Sequence, residues 1–114
     1  MSAITTHVLD TSRGRPAGGV PITLEVQTDG GVWRIIGQGQ TDADGRLKNL
    51  LSPAFSFREG IYRLTFDTAA YFAALSTPTF YPEVKVVFIV QDAGQHYHVP
   101  LLLNPFGYST YRGS

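Results

Sequence analysis

The 114 residues carry nine Lys and Arg against nine Asp and Glu, so the chain is formally neutral and lacks the basic footprint of nucleic-acid or anionic-membrane binding. Cysteine is absent, which excludes thiolate nucleophiles, thiolate metal sites and a disulfide scaffold. The length suits one domain over residues 1–114, seven Phe and six Tyr supply bulk for its core, and no stretch approaches the roughly 20 apolar residues of a membrane span.

Met1 to Thr5 shows no basic region followed by an apolar one, so no secretory signal is read and a cytoplasmic location is the default expectation. The first strand follows, with Thr5, His7 and Leu9 on one face and Thr6 and Val8 on the other. Gly14 to Pro21 is a Gly/Pro-rich loop. Ile22, Leu24 and Val26 alternate with Thr23, Glu25 and Gln27, the period of a half-buried strand. Asp29-Gly30-Gly31 signals a hairpin into a strand over Val32 to Gln40, and Asp42-Ala43-Asp44-Gly45 turns into Arg46 to Leu51.

Gly60 opens another strand, with Tyr62, Leu64 and Phe66 on one face. Asp67 or Thr68 can cap a helix of about two turns over Thr68 to Leu75, where the alanines suit a helix. Pro78 and Pro82 bracket a turn, and Val84 to Val90 and His96 to Leu103 are the last long strands. Short strands with turn chemistry and one small helix predict an all-β sandwich.

His96 and His98 lie two apart on a strand and so project from one face. With His7 they would make three imidazoles, the ligand set of a hydrolytic zinc site; the plainer reading is hydrogen-bonded histidines on a half-exposed strand. Asp42-Ala43-Asp44-Gly45 fails as a calcium loop, because Gln40 and Leu51 stand at the first and twelfth ligand positions. Arg46 follows that turn directly, a rigid place to hold a guanidinium, although alone it reads as a surface arginine. Ser109 and Ser114 lack a nucleophile elbow, and no glycine cluster has the spacing and following helix of a phosphate loop. The tail keeps Tyr108, Ser109, Thr110, Tyr111 and Arg112 close to the last residue, whereas termini are usually polar and frayed.

Thr6-His7-Val8-Leu9-Asp10, Asp42-x-Asp44-Gly45-Arg46 and His96-Tyr97-His98-Val99-Pro100, running on to Tyr111-Arg112-Gly113-Ser114, resemble the 5-hydroxyisourate hydrolases, the transthyretin-related enzymes of purine breakdown. The likeness runs from His7 to Ser114 in matching order, and the closing Tyr-Arg-Gly-Ser is its most specific mark. The resemblance implies a transthyretin-like sandwich of two four-stranded sheets with one short helix, assembled as a homotetramer, a dimer of dimers, around a central channel. It implies a catalytic set of His7, Arg46 and His98, with Ser109, Tyr111, Arg112, Gly113 and Ser114 completing the substrate pocket and His96 in support. The implied reaction is hydrolysis of 5-hydroxyisourate without metal or cofactor. In transthyretin itself the positions of His7, Arg46 and His98 hold other residue types. Two other functions compete: a non-catalytic carrier with an apolar ligand in the channel, and an immunoglobulin-like interaction module with scattered histidines.

Overall fold

The computed structural model describes residues 3–114 as two packed sheets and one helix. In chain order the elements are β1 (Ile4–Asp10), β2 (Arg15–Pro16), β3 (Pro21–Gln27), β4 (Trp33–Gln40), β5 (Arg46–Leu47), β6 (Gly60–Phe66), α1 (Thr68–Ala74), β7 (Val84–Val90), β8 (Tyr97–Asn104) and β9 (Gly107–Thr110). One sheet runs β4-β3-β6-β7, all antiparallel. The other runs β1-β8-β9, with β2 and β5 both pairing the free edge of β1 at different points along it.

Two expectations are adjusted here. The second sheet gains the two-residue β2 as a fifth strand, because the Gly/Pro-rich loop folds Arg15 and Pro16 back onto Leu9 and Asp10. The strand expected over residues 46–51 is only Arg46–Leu47; beyond it the Ser52 N–H donates to the Ile36 carbonyl of β4, and the Phe55 N–H closes a turn onto the Ser52 carbonyl.

The period of two is plain in burial. Ile22, Leu24 and Val26 of β3 and Tyr62, Leu64 and Phe66 of β6 point between the sheets, where Ile4, Val8, Leu101 and Leu103 meet them. On β1 the inward set also includes two polar residues, and both are satisfied. Thr6 Oγ1 donates to the Val99 carbonyl at 2.6 Å, and the buried Asp10 accepts from Tyr71 Oη at 2.7 Å and from Ser12. The Tyr71 contact ties α1 to β1. The helix starts at Asp67, whose carboxylate caps the Ala70 N–H at 3.0 Å, and Phe72 anchors it in the core.

For the functional residues the decisive pairing is β1 with β8, which is parallel, in register Thr5↔His98 and His7↔Pro100. It joins segments more than 90 residues apart, as the Thr5–His98 contact shows. Thr5 and His7, the outward residues of β1, then share a face with His98.

Candidate active site

Arg46 is fixed by its turn. Asp42 Oδ1 accepts from the N–H groups of Asp44 and Arg46 at 2.9 and 3.0 Å, and these amides hold its carboxyl below the usual carboxylate range. Gly45, at φ +75°, passes so close to the Val8 carbonyl that a side chain would collide with it, and its own carbonyl accepts the Val8 N–H at 2.7 Å. The turn is thereby locked to β1, and the β1–β5 ladder sets Arg46 directly opposite His7. His7 Nε2 lies 2.9 Å from the Asp44 carbonyl. A carbonyl only accepts, so Nε2 carries a proton and Nδ1 is the other nitrogen available for chemistry.

His98 is half-buried and gripped from two sides. Its Nδ1 lies 2.8 Å from Thr5 Oγ1. On the other side the tail runs back along β8: the Gly113 N–H donates to the His98 carbonyl at 2.8 Å, an isolated bridge beyond β9. This bridge is in register with the β8–β9 ladder, since Leu101↔Thr110 and His98↔Gly113 lie three residues apart on each strand. The interruption falls at Pro100, which has no N–H to continue the ladder, while Thr110 Oγ1 donates to the Pro100 carbonyl at 2.7 Å.

A cavity of about 410 Å³ opens at this face, lined by Thr5, Arg46, Lys48, His96, His98 and Ser114 among others. Burial first, and then the nearby His96, Arg46 and His7, push the His98 pKa below the ordinary histidine value, and the Thr5 main chain opposes this only in part. The ring is therefore biased to its neutral form, and Nε2 takes no hydrogen bond from any described residue. A neutral imidazole with a free nitrogen, beside a fixed guanidinium, can take a proton from water while the cation meets developing negative charge.

The comparisons with known proteins agree over nearly the whole chain. Residues 4–113 match the model of the HIUase/Transthyretin family. The chain belongs to that family. It is 50% identical over 113 residues to a probable 5-hydroxyisourate hydrolase of Caenorhabditis elegans, covering 99% of this chain and 82% of that protein. Among solved structures, transthyretin from Sparus aurata superposes with a TM-score of 0.92 at 36% identity, covering 99% of this chain and 97% of that one. The 5-hydroxyisourate hydrolase of Klebsiella pneumoniae superposes with a TM-score of 0.83 at 35% identity over all of both chains. Backbone shape within the HIUase/Transthyretin family thus does not separate hydrolase from carrier, and the side chains must do so.

Within one chain of this family member, His98, Arg46 and Ser114 line the cavity, His7 stands beside Arg46, and Gly113 lies against His98. The remaining tail residues go elsewhere. Ser109 is exposed on β9 opposite Leu102. Tyr111 and Arg112 line a separate cavity of about 320 Å³ with Val86, Phe88, Tyr97 and Val99. Arg112 stacks on Tyr97 at 4.5 Å from its ring centre and donates to Gln95 Oε1 at 2.9 Å, which braces the segment entering β8. His96 precedes that strand rather than opening it, yet its Nε2 comes within 2.9 Å of the same Thr5 hydroxyl.

Sequence reading missed Lys48 and Thr5 as members of the site. Thr5 carried a usable signal, because strand alternation puts it on the face of His7. Lys48 carried none, because it lies past the end of β5.

Proposed function

We propose that this protein hydrolyses 5-hydroxyisourate, opening its six-membered ring to give 2-oxo-4-hydroxy-4-carboxy-5-ureidoimidazoline in urate degradation. The observation that carries the reading is the meeting of His98, held neutral, with Arg46 and the end of the tail around one cavity. The hydrolase names of relatives that match nearly the whole of this chain support the same activity.

In this mechanism His98 Nε2 takes a proton from water, and the oxygen attacks the ring carbonyl carbon. Arg46, always charged and planar, stabilises the oxyanion. Collapse breaks the ring C–N bond, the attacked carbon stays on the product as its carboxylate, and the leaving nitrogen receives a proton from His98 or His7. The His7 Nε2–H is committed to the Asp44 carbonyl, which favours His98 as the water activator and His7 as its partner. Gly113 and Ser114 hold the flat substrate in plane. Ser109, Tyr111 and Arg112 belong to the same reading as further substrate-binding groups, with Arg112 acting through the segment that carries His96.

A homotetramer, a dimer of dimers, is part of the proposal. β7 and β9 are free sheet edges, and Val87, Ile89 and Tyr111 expose more than half their surface there, which suits cover by a second copy. Light scattering of the purified protein tests it, and an active monomer refutes it.

The carrier reading predicts tight binding of an apolar ligand and no turnover. Fresh 5-hydroxyisourate, with its spontaneous decay subtracted, discriminates. Rapid loss of the substrate absorbance that disappears in Arg46→Ala supports the hydrolase, and wild-type decay at the uncatalysed rate rejects it.

A further inference from the structure

The Thr5 hydroxyl lies within hydrogen-bond distance of two imidazoles at once, 2.8 Å from His98 Nδ1 and 2.9 Å from His96 Nε2. A hydroxyl has one proton, so it can donate to only one ring, and in doing so it can accept from the other. The two arrangements differ in chemistry. If Thr5 donates to His98 Nδ1, a neutral His98 carries its own proton on Nε2 and faces the cavity as a donor. If Thr5 donates to His96 Nε2 instead, it accepts from His98 Nδ1–H, and Nε2 faces the cavity as a lone pair.

We propose that Thr5 is a positioning residue of the hydrolytic site, directing its proton to His96 and thereby fixing His98 in the Nδ1–H tautomer that leaves Nε2 basic. The proposal rests on the hydrolase reading, in which His98 is the base. The surroundings add a reason for the second histidine. His96, Arg46 on β5 and His7 on β1 all disfavour a positive charge on the half-buried His98. When Nε2 takes the proton of water, the Nδ1 proton passes to Thr5 Oγ1 as the Thr5 proton passes to His96 Nε2. His98 is then again neutral, with its proton on Nε2, and the charge rests on His96. Reversal of the same transfers accompanies donation of the Nε2 proton to the leaving nitrogen, and no proton is gained or lost overall.

Three variants and two readouts test the relay. Thr5→Val is isosteric and suits a strand, Thr5→Ser keeps the hydroxyl, and His96→Gln keeps an acceptor. Nitrogen-15 NMR of the substrate-free protein reports which His98 nitrogen carries the proton, independently of any activity. Wild type and Thr5→Ser are expected to hold the proton on Nδ1, and Thr5→Val to lose that preference. In kinetics Thr5→Val is expected to lower kcat by at least about tenfold with KM unchanged, part of the roughly 10²–10⁴-fold that general-base catalysis supplies. Thr5→Ser restores kcat, and His96→Gln retains the tautomer while losing turnover, because it accepts a hydrogen bond but not a charge. A wild-type His98 protonated on Nε2, or a Thr5→Val protein with unchanged tautomer and kcat, overturns the proposal. A wild type with the Nδ1–H tautomer but no hydrolysis of 5-hydroxyisourate refutes the hydrolase reading instead.

Discussion

Gly113 lies so close to His98 that a β-carbon added to it would stand 2.5 Å from Cδ2 of the ring and 3.3 Å from Cγ. The tail is therefore a wall of the site, shaped to the ring it touches. Real carbon atoms do not approach to that distance, so any side chain at this position must displace the tail or rotate the imidazole.

Gly113→Ala should accordingly leave a folded protein with damaged turnover. A displacement of about 1 Å at a catalytic group lowers rates by about 100-fold, and that is the expected loss here. Deleting residues 111–114 should do at least as much, because it removes the bridge to the His98 carbonyl as well. Circular dichroism should be unchanged in Gly113→Ala. Normal kcat/KM in either variant would show that the tail only packs.

The acid limb of activity should follow His98. Its pKa is held below the ordinary histidine value near 6.5 by burial first, then by His96, Arg46 and His7. The rate is thus expected to be flat through neutral pH and to fall only below that value. Stability has the same sign: the unfolded chain takes up the proton first, so the contribution of neutral His98 is complete above about 6.5 and is lost as pH falls from there through the folded pKa. His98→Asn should remove the limb together with roughly 10²–10⁴ of the rate. A midpoint above the ordinary histidine value would contradict the geometry.

Chelation should leave the rate untouched. His96 Nε2 and His98 Nδ1 both face the Thr5 hydroxyl, but His7 Nε2 faces the Asp44 carbonyl, so the three nitrogens do not converge on one point. Among the described residues no three of His, Asp or Glu are grouped to hold a metal ion. Activity lost to a chelator and restored by zinc would reinstate the three-histidine site of His7, His96 and His98.

Stability is expected to depend on a contact far from the cavity. Burial raises the Asp10 carboxyl, but hydrogen bonds from Ser12, Tyr71 and the Arg13 main chain outweigh it and bring the pKa below the usual value. The unfolded chain thus binds the proton more readily, and the stability Asp10 contributes above about pH 4 is lost as pH falls through its folded pKa. Tyr71→Phe removes one donor to this buried charge and unties α1 from β1, so the free energy of unfolding should drop by about 1.5–3 kcal/mol. Urea denaturation measures this, and an unchanged midpoint would mean that Ser12 and the main chain suffice.

The sequence by itself determined the elements and their faces. Strict alternation in Ile22 to Val26 and Tyr62 to Phe66 permits only a strand with one buried side, and Asp67 before an alanine-rich run permits a short capped helix. It also determined which residue types stand ready for chemistry, because His7, Arg46, His98 and the closing tetrad are read directly from the chain. Tertiary structure alone decided which of them meet. The parallel β1–β8 pairing and the return of the tail to His98 join residues that no local pattern links, and their register depends on packing between sheets. That register puts Thr5 beside His98 and Gly113 behind it, while Tyr111 and Arg112, equally prominent in the sequence, line a separate cavity and Ser109, on β9, lies further along β8, opposite Leu102. A proton's position on an imidazole is set by the partner of its other nitrogen, and only the folded chain brings that partner within 3 Å.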